Sequence, residues 1–209
     1  APLSRIERQG AYQFLDDKQF NKLAHQFIGQ GFLTVDLDVV KAVLEQAPWI
    51  KNVNVKRLWP STLKVWVDER EPVAYWNDKG FLGRSGVDFY PGETLPELRL
   101  PRLYGATEEA AVVYQRYKLF NQYFSKRNIE LNSAKQNDRG EWQLNTVEGI
   151  SMLLGEEPDD EQLSRVAVLV ASLTATQRSE MDYVDARYTN GVAVKWQKSE
   201  EIQERKQAG

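Results

Sequence analysis

The sequence predicts an α+β protein in two parts: a β-α-α-β-β unit over residues 1–71 and a larger β domain over residues 72–196. Three observations carry this. Apolar and polar residues alternate on both sides of Leu58-Trp59-Pro60-Ser61, the period of a half-buried β-hairpin. Two stretches ahead of it repeat apolar residues at helical spacing. After Pro72 the chain breaks into short strand-like runs divided by Gly, Pro and Asn-Gly, with two longer helical patterns between them.

Taken in order, Leu3–Arg8 alternates and reads as a first strand ending near Gly10. Asp16-Asp17 then open a helix with Phe20, Leu23, Ala24, Phe27 and Ile28 on one side, stopping at Gly29-Gln30-Gly31. Asp36 or Asp38 caps a second, with Val39, Val40, Val43, Leu44 and Ala47 facing one way until Pro48 ends it. Val53, Val55 and Arg57 form one side of the first hairpin strand; Leu63, Val65 and Val67 form one side of the second. Pro60 belongs in the turn because it has no N–H to give a ladder. The expected result is two helices on one face of a three-stranded sheet.

In the second part, Val73–Trp76, Gly80–Gly83, Val87–Tyr90 and Leu100–Tyr104 read as strands or connections. Thr107–Arg127 reads as a long amphipathic helix with Ala111, Val112, Tyr114, Tyr117, Leu119, Phe120 and Phe124 as its apolar positions. Ile129–Gln136, Glu141–Asn145 and Ile150–Leu154 follow as strands, and a helix from Pro158-Asp159-Asp160 turns Leu163, Val166, Leu169, Val170 and Leu173 inward. Met181–Tyr188 and Val192–Trp196 pair around Asn190-Gly191, the dipeptide of a type I′ turn. A mostly antiparallel sheet flanked by helices is expected. The polar remainder, 197–209, is expected to be disordered.

The chemistry of the chain is sparse. A hydrophobic fraction of 42% supports a packed core, and a net charge of −3 gives no basic excess for nucleic acid. With no cysteine there is no disulfide or thiolate site, and the single histidine, His25, reads as a partly buried structural residue in the first helix. Asp16-Asp17, Glu108-Glu109 and Asp159-Asp160 fall at helix starts, where free N–H groups and the macrodipole account for them. No phosphate-binding loop, dinucleotide fingerprint or nucleophile elbow is present, so no catalytic residue, metal or cofactor is assigned. No apolar run approaches the ~20 residues that span a bilayer.

What remains is recognition. Val192–Trp196 is the last regular segment, and a strand paired on one flank only leaves N–H and C=O groups for another chain. Tyr188 and Trp196 flank it as aromatic anchors; the alternative reading is that Trp196 packs on the core and the polar tail covers the edge.

Two separated motifs resemble one family. Pro48-Trp49-Ile50-Lys51 with Val53, Val55, Arg57, Trp59-Pro60, Leu63, Val65, Glu69, Pro72-Val73-Ala74 and Trp76-Asn77 is similar to the junction motif of the FtsQ/DivIB bacterial cell-division family. Tyr183-Val184-Asp185, Arg187-Tyr188, Gly191–Val194 and Trp196 are similar to its C-terminal hairpin.

The resemblance implies an N-terminal POTRA domain and a β domain on the periplasmic face of the inner membrane, held by one transmembrane helix that these residues do not contain. It implies a non-enzymatic scaffold of the division septum, which binds FtsB with FtsL and regulates septal peptidoglycan synthesis. FtsK and other divisome proteins are implied as further partners. Tyr188, Asn190, Gly191, Val192, Ala193 and Trp196 match the FtsB-binding edge, Arg139 matches an arginine facing an acidic partner residue, and Leu169 and Leu173 match the adjacent helix face. Asn52, Val55 and Arg57 match a recruitment surface on the POTRA hairpin. A POTRA-containing assembly module for outer-membrane proteins is the alternative.

Overall fold

The structure is a computed structural model in which residues 1–188 and 190–197 are described. The tail expected to be disordered lies, from 198 on, outside the described residues. The chain forms two compact units: residues 1–72 together with 89–95, and residues 73–88 together with the chain from 96 on.

The first unit follows the expected element order: β1 (Arg5–Gln9), α1 (Asp17–Ala24), α2 (Leu37–Leu44), β2 (Ile50–Leu58) and β3 (Thr62–Glu69). Its sheet runs β1-β3-β2, with β1 parallel and β2 antiparallel to β3. Both helices start on an aspartate: Asp16 accepts from the Lys18 N–H at 3.0 Å and Asp36 from the Asp38 N–H at 2.9 Å. Phe20, Ala24, Val40 and Leu44 pack with Val53, Val55, Leu63 and Val65 into one core. The Trp59-Pro60 peptide in the hairpin tip is cis.

Two details depart from expectation. After Ala24 the chain tightens into a 3-10 turn over His25–Phe27, which leaves His25 exposed and turns Ile28 outward. In α2, Val39 also points outward, because an eight-residue helix buries a narrow stripe and Val40 and Leu44 occupy it.

Glu69 explains its own place in the junction motif. Its carboxylate accepts three backbone N–H groups, from Gln13 at 2.7 Å, Phe14 at 2.9 Å and Leu15 at 2.6 Å, fixing the β1–α1 connection to the end of β3. Nearby, Trp49 stacks on Phe14 with ring centroids 4.4 Å apart and meets Phe89 edge-on at 5.3 Å, so the returning segment 89–95 completes this unit.

The second unit is built on β4 (Pro72–Trp76), β5 (Gly80–Gly83), β6 (Asp88–Phe89), β7 (Arg102–Tyr104), α3 (Ala110–Ser125) and β8 (Leu131–Gln136), of which Pro72 and Phe89 fall in the first unit. It continues with β9 (Trp142–Thr146), β10 (Ser151–Leu154), α4 (Asp160–Ser172), α5 (Ala175–Glu180), β11 (Met181–Asp185) and β12 (Ala193–Trp196). The nine-stranded sheet is ordered β12-β11-β10-β9-β8-β7-β4-β5-β6. It is mixed: β8–β9, β9–β10 and β11–β12 are antiparallel, whereas β4–β7, β7–β8 and β10–β11 are parallel.

The inner face of α3 is Ala110, Val113, Tyr117, Phe120 and Phe124, while Val112 and Leu119 face outward, about half exposed. Ala111 is exposed as well, so apolar character misassigned three positions, because one i, i+3/i+4 stripe is already filled by larger rings. In α4 the inward residues are Leu163, Val166, Ala167 and Val170; Leu169 and Leu173 are half-buried at the margin of the core. Helix α5 was not expected from its polar sequence. Its signal is the capping box between Thr174 and Gln177.

Candidate partner-binding surface

β12 is the terminal strand of its sheet, and among the described residues its one strand neighbour is β11. Register pairs Ala193 with Asp185, Val194 with Val184 and Lys195 with Tyr183. Two hydrogen bonds outside the strand ladders fix which way the backbone groups point. Gln197 N–H donates to Glu180 O at 2.7 Å, and on the other flank of β11 Ala186 N–H donates to Leu153 O at 2.9 Å. Alternation along each strand then turns the groups of Ala193 and Lys195 towards β11, and those of Val194 and Trp196 away from the sheet.

Side chains follow the opposite logic. Val194 is half-buried against the core, Ala193 and Lys195 are exposed, and Trp196 is 45% exposed. Lys195 bonds Asp182 across the pair at 3.1 Å. The strand carries neither proline nor a row of charges to block a further strand.

The connection between β11 and β12 is not the expected two-residue turn. Pairing ends at Asp185 and Ala193, leaving residues 186–192 between the strands, and Gly191 lacks the positive φ that a type I′ turn demands. A polar latch shapes the segment instead. The Arg187 guanidinium donates to both Asp185 carboxylate oxygens, at 3.0 and 2.7 Å, and the Arg187 N–H donates to Asp185 at 3.1 Å. The Arg187 bonds hold the Asp185 carboxyl below its usual range, against the opposing effect of burial, and Asp185 in turn raises Arg187. Gln162 of α4 donates to the Ala186 carbonyl.

Arg187 also reaches Glu141 at 3.7 Å. That contact brings the β8–β9 turn, which contains Arg139, to the same end of the sheet as Tyr188. Arg139 is exposed, its N–H bonded to Asn137, and Tyr188 is 63% exposed. Asn190 is exposed beside half-buried Gly191 and Val192. Leu169 and Leu173 on α4 pack against the same core as Val192 and Val194. The structure thus brings the Arg139 turn and Tyr188 to one end of the sheet, and adds Asp185, Arg187 and Glu141, which sequence reasoning did not single out as polar members. Their signal was Asp185 and Arg187 two apart in an extended stretch, hence on one face.

The expected POTRA-hairpin residues divide. Asn52 is exposed, Val55 is 9% exposed in the core, and Arg57 donates to the carbonyls of Phe32 at 3.0 Å, Leu33 at 3.4 Å and Val35 at 2.5 Å. Among the described residues, no group of three His, Cys, Asp or Glu side chains is placed to hold a metal ion, and no helix is long and apolar enough to cross a membrane.

Comparison with known proteins gives a consistent picture. Residues 1–70 match the family model for the POTRA domain of FtsQ type, and residues 74–187 match that for the C-terminal part of cell division protein FtsQ/DivIB. Cell division protein FtsQ of Escherichia coli K12 is 34% identical over 202 residues, covering 93% of this chain and 73% of the relative. The Vibrio cholerae protein of the same name is 28% identical over 206 residues, 98% of this chain and 79% of the relative. That of Allochromatium vinosum is 30% identical over 196 residues, 93% and 78%.

Proposed function

The chain belongs to the FtsQ/DivIB family of bacterial cell-division proteins, and on that premise we propose that it is a non-enzymatic divisome scaffold that captures FtsB, together with FtsL, by strand addition along β12. The observation that carries this reading is the outward-facing backbone of Val194 and Trp196 on a terminal strand. An extended FtsB segment completes those groups and becomes the next strand of the sheet.

Main-chain bonding alone is insufficient. Two outward residues offer about four bonds at about 1 kcal/mol each, against an association cost of about 4–15 kcal/mol. Side-chain anchors make up the difference. Tyr188 and Trp196 present exposed rings at the two ends of the edge, the half-buried Leu169 and Leu173 supply apolar contact, and Arg139 meets an acidic residue of the partner. The Asp185–Arg187–Glu141 latch positions Tyr188 and the Arg139 turn relative to each other.

The domain division at 71/72, the periplasmic face of the inner membrane as the place of action, regulation of septal peptidoglycan synthesis, and contact of the POTRA hairpin with FtsK belong to the same proposal. An outer-membrane assembly role is the weaker reading, since residues 74–187 match the division family. The decisive experiment is a binding titration with the periplasmic part of FtsB, wild type against Tyr188→Ala. Loss of about 2 kcal/mol, or about thirtyfold in Kd, is expected for an aromatic anchor. Equal affinity would refute the placement of the site.

A further inference from the structure

A second unusual surface lies in the first unit, at the tip of the β2–β3 hairpin. Large apolar side chains project there from adjoining segments: Trp59 is 70% exposed, Leu58 44%, and Leu33 in the α1–α2 connection 64%. The segments are held together. Trp59 packs edge-on against Phe32 with centroids 5.4 Å apart, the three carbonyl bonds of Arg57 tie residues 32–35 to the end of β2, and Ser4 bonds Ser61 at 2.7 Å.

Cationic side chains predominate on the hairpin itself, with Glu7 and, at the start of α2, Asp36 and Asp38 as the nearby acids. Lys56 and Lys64 oppose each other directly across the β2–β3 ladder, a like-charge pairing that disfavours the strand pair. Lys56 leans over the Trp66 ring at 5.6 Å, and Trp66 is itself 41% exposed on that sheet face. Arg57 brings a charge bonded to neutral carbonyls. Arg5 lies in register with Thr62 and Glu7 with Lys64, and the Glu7 carboxylate is bonded to Arg5 at 3.1 Å. The result is a local cationic excess on a chain whose net charge is −3.

We propose that this tip docks on an anionic phospholipid bilayer, with Trp59, Leu58 and Leu33 entering the interface and Lys56, Lys64 and Arg57 meeting the head-group phosphates. Exposed rings and aliphatic tips that project from a turn, ringed by long cationic side chains, suit a fluid interface; a protein hot spot instead seats its anchors in a complementary pocket. Lysines can keep their ammonium groups at the phosphate level while their stems follow the apolar residues inward. Because the whole chain is acidic, non-specific electrostatics would repel such a surface, so attraction has to come from this patch.

The test is flotation of the 209-residue chain with phosphatidylglycerol vesicles and with phosphatidylcholine vesicles, for wild type, Leu33→Asp/Trp59→Ser and Lys56→Glu/Lys64→Glu. Wild type is expected to float with phosphatidylglycerol and not with phosphatidylcholine, and both variants to bind about tenfold more weakly or not at all. Thermal melts and FtsB titration of each variant verify that the fold and the C-terminal edge are intact. Leu33→Asp alone, at a position with no packing role, repeats the test should the Trp59 variant melt early. Absence of phosphatidylglycerol binding by wild type, or binding that survives all three sets of substitutions, would overturn the proposal. A protein partner captured through the tip without any lipid affinity would also overturn it.

Discussion

Replacing Val194 with proline isolates the main-chain contribution of the edge. The Val194 N–H points away from β11, so proline removes an outward donor without breaking a bond within the sheet, and edge strands tolerate proline in that orientation. The ring also fills the position an incoming carbonyl would take. Two ladder bonds are therefore lost, about 2 kcal/mol or about thirtyfold in Kd for FtsB. Val194 is half-buried, so the substitution also removes apolar contact, about 1 kcal/mol of stability. Val194→Ala supplies the control, since it loses similar contact and keeps the N–H. Calorimetric titration with the periplasmic part of FtsB, alongside thermal melts, should find the alanine variant close to wild type and the proline variant about thirtyfold weaker. If the two variants bind alike, FtsB does not extend the sheet through β12. Ala193→Pro is the contrasting case: its N–H faces β11, so it should damage the edge itself and lower the melting temperature.

Other predictions concern the latch and the junction. Asp185 is held below its ordinary pKa of 3.8, so its ionised form stabilises the fold at neutral pH and that contribution is lost as pH falls through the lowered value. The melting-temperature gap between wild type and Asp185→Asn should therefore be widest near neutrality and close as the pH falls below the ordinary carboxylate range; a gap independent of pH would contradict the latch. Glu69→Ala strips three backbone N–H groups of their acceptor and should destabilise the first unit by about 2–3 kcal/mol in denaturant titration. Loss of the Asp16 cap, with one such bond, should cost about 1 kcal/mol.

The parts of the fold that depend on local pattern were legible from sequence. The β2–β3 hairpin announces itself because Val53, Val55, Leu63 and Val65 all face one core and the turn carries its own proline. The aspartate caps were equally readable, since a cap is a contact of two or three residues. Where tertiary contacts decide, sequence misled. Asn190-Gly191 has strong intrinsic turn preference, yet Arg187 in this connection bridges Asp185, two residues away, to Glu141, distant in sequence. Val112 and Leu119 are apolar but face outward, because rings at Tyr117, Phe120 and Phe124 already fill the inner stripe of α3. His25 ends exposed where α1 gives way to a 3-10 turn after Ala24. At the edge, sequence order pointed to β12 as the last strand, whereas which of its amides face outward needed the flanking bonds of Gln197 and Ala186.

Phe89 has a practical bearing on how the molecule can be dissected. The chain leaves the first unit at Pro72, then returns over 89–95 to set Phe89 against the Trp49 indole that Phe14 stacks upon. No single scission therefore liberates that unit whole: a fragment halted at residue 72 leaves one side of the indole wet. Any chimera that exchanges this unit with a relative's must graft both stretches, and its junctions number three rather than one.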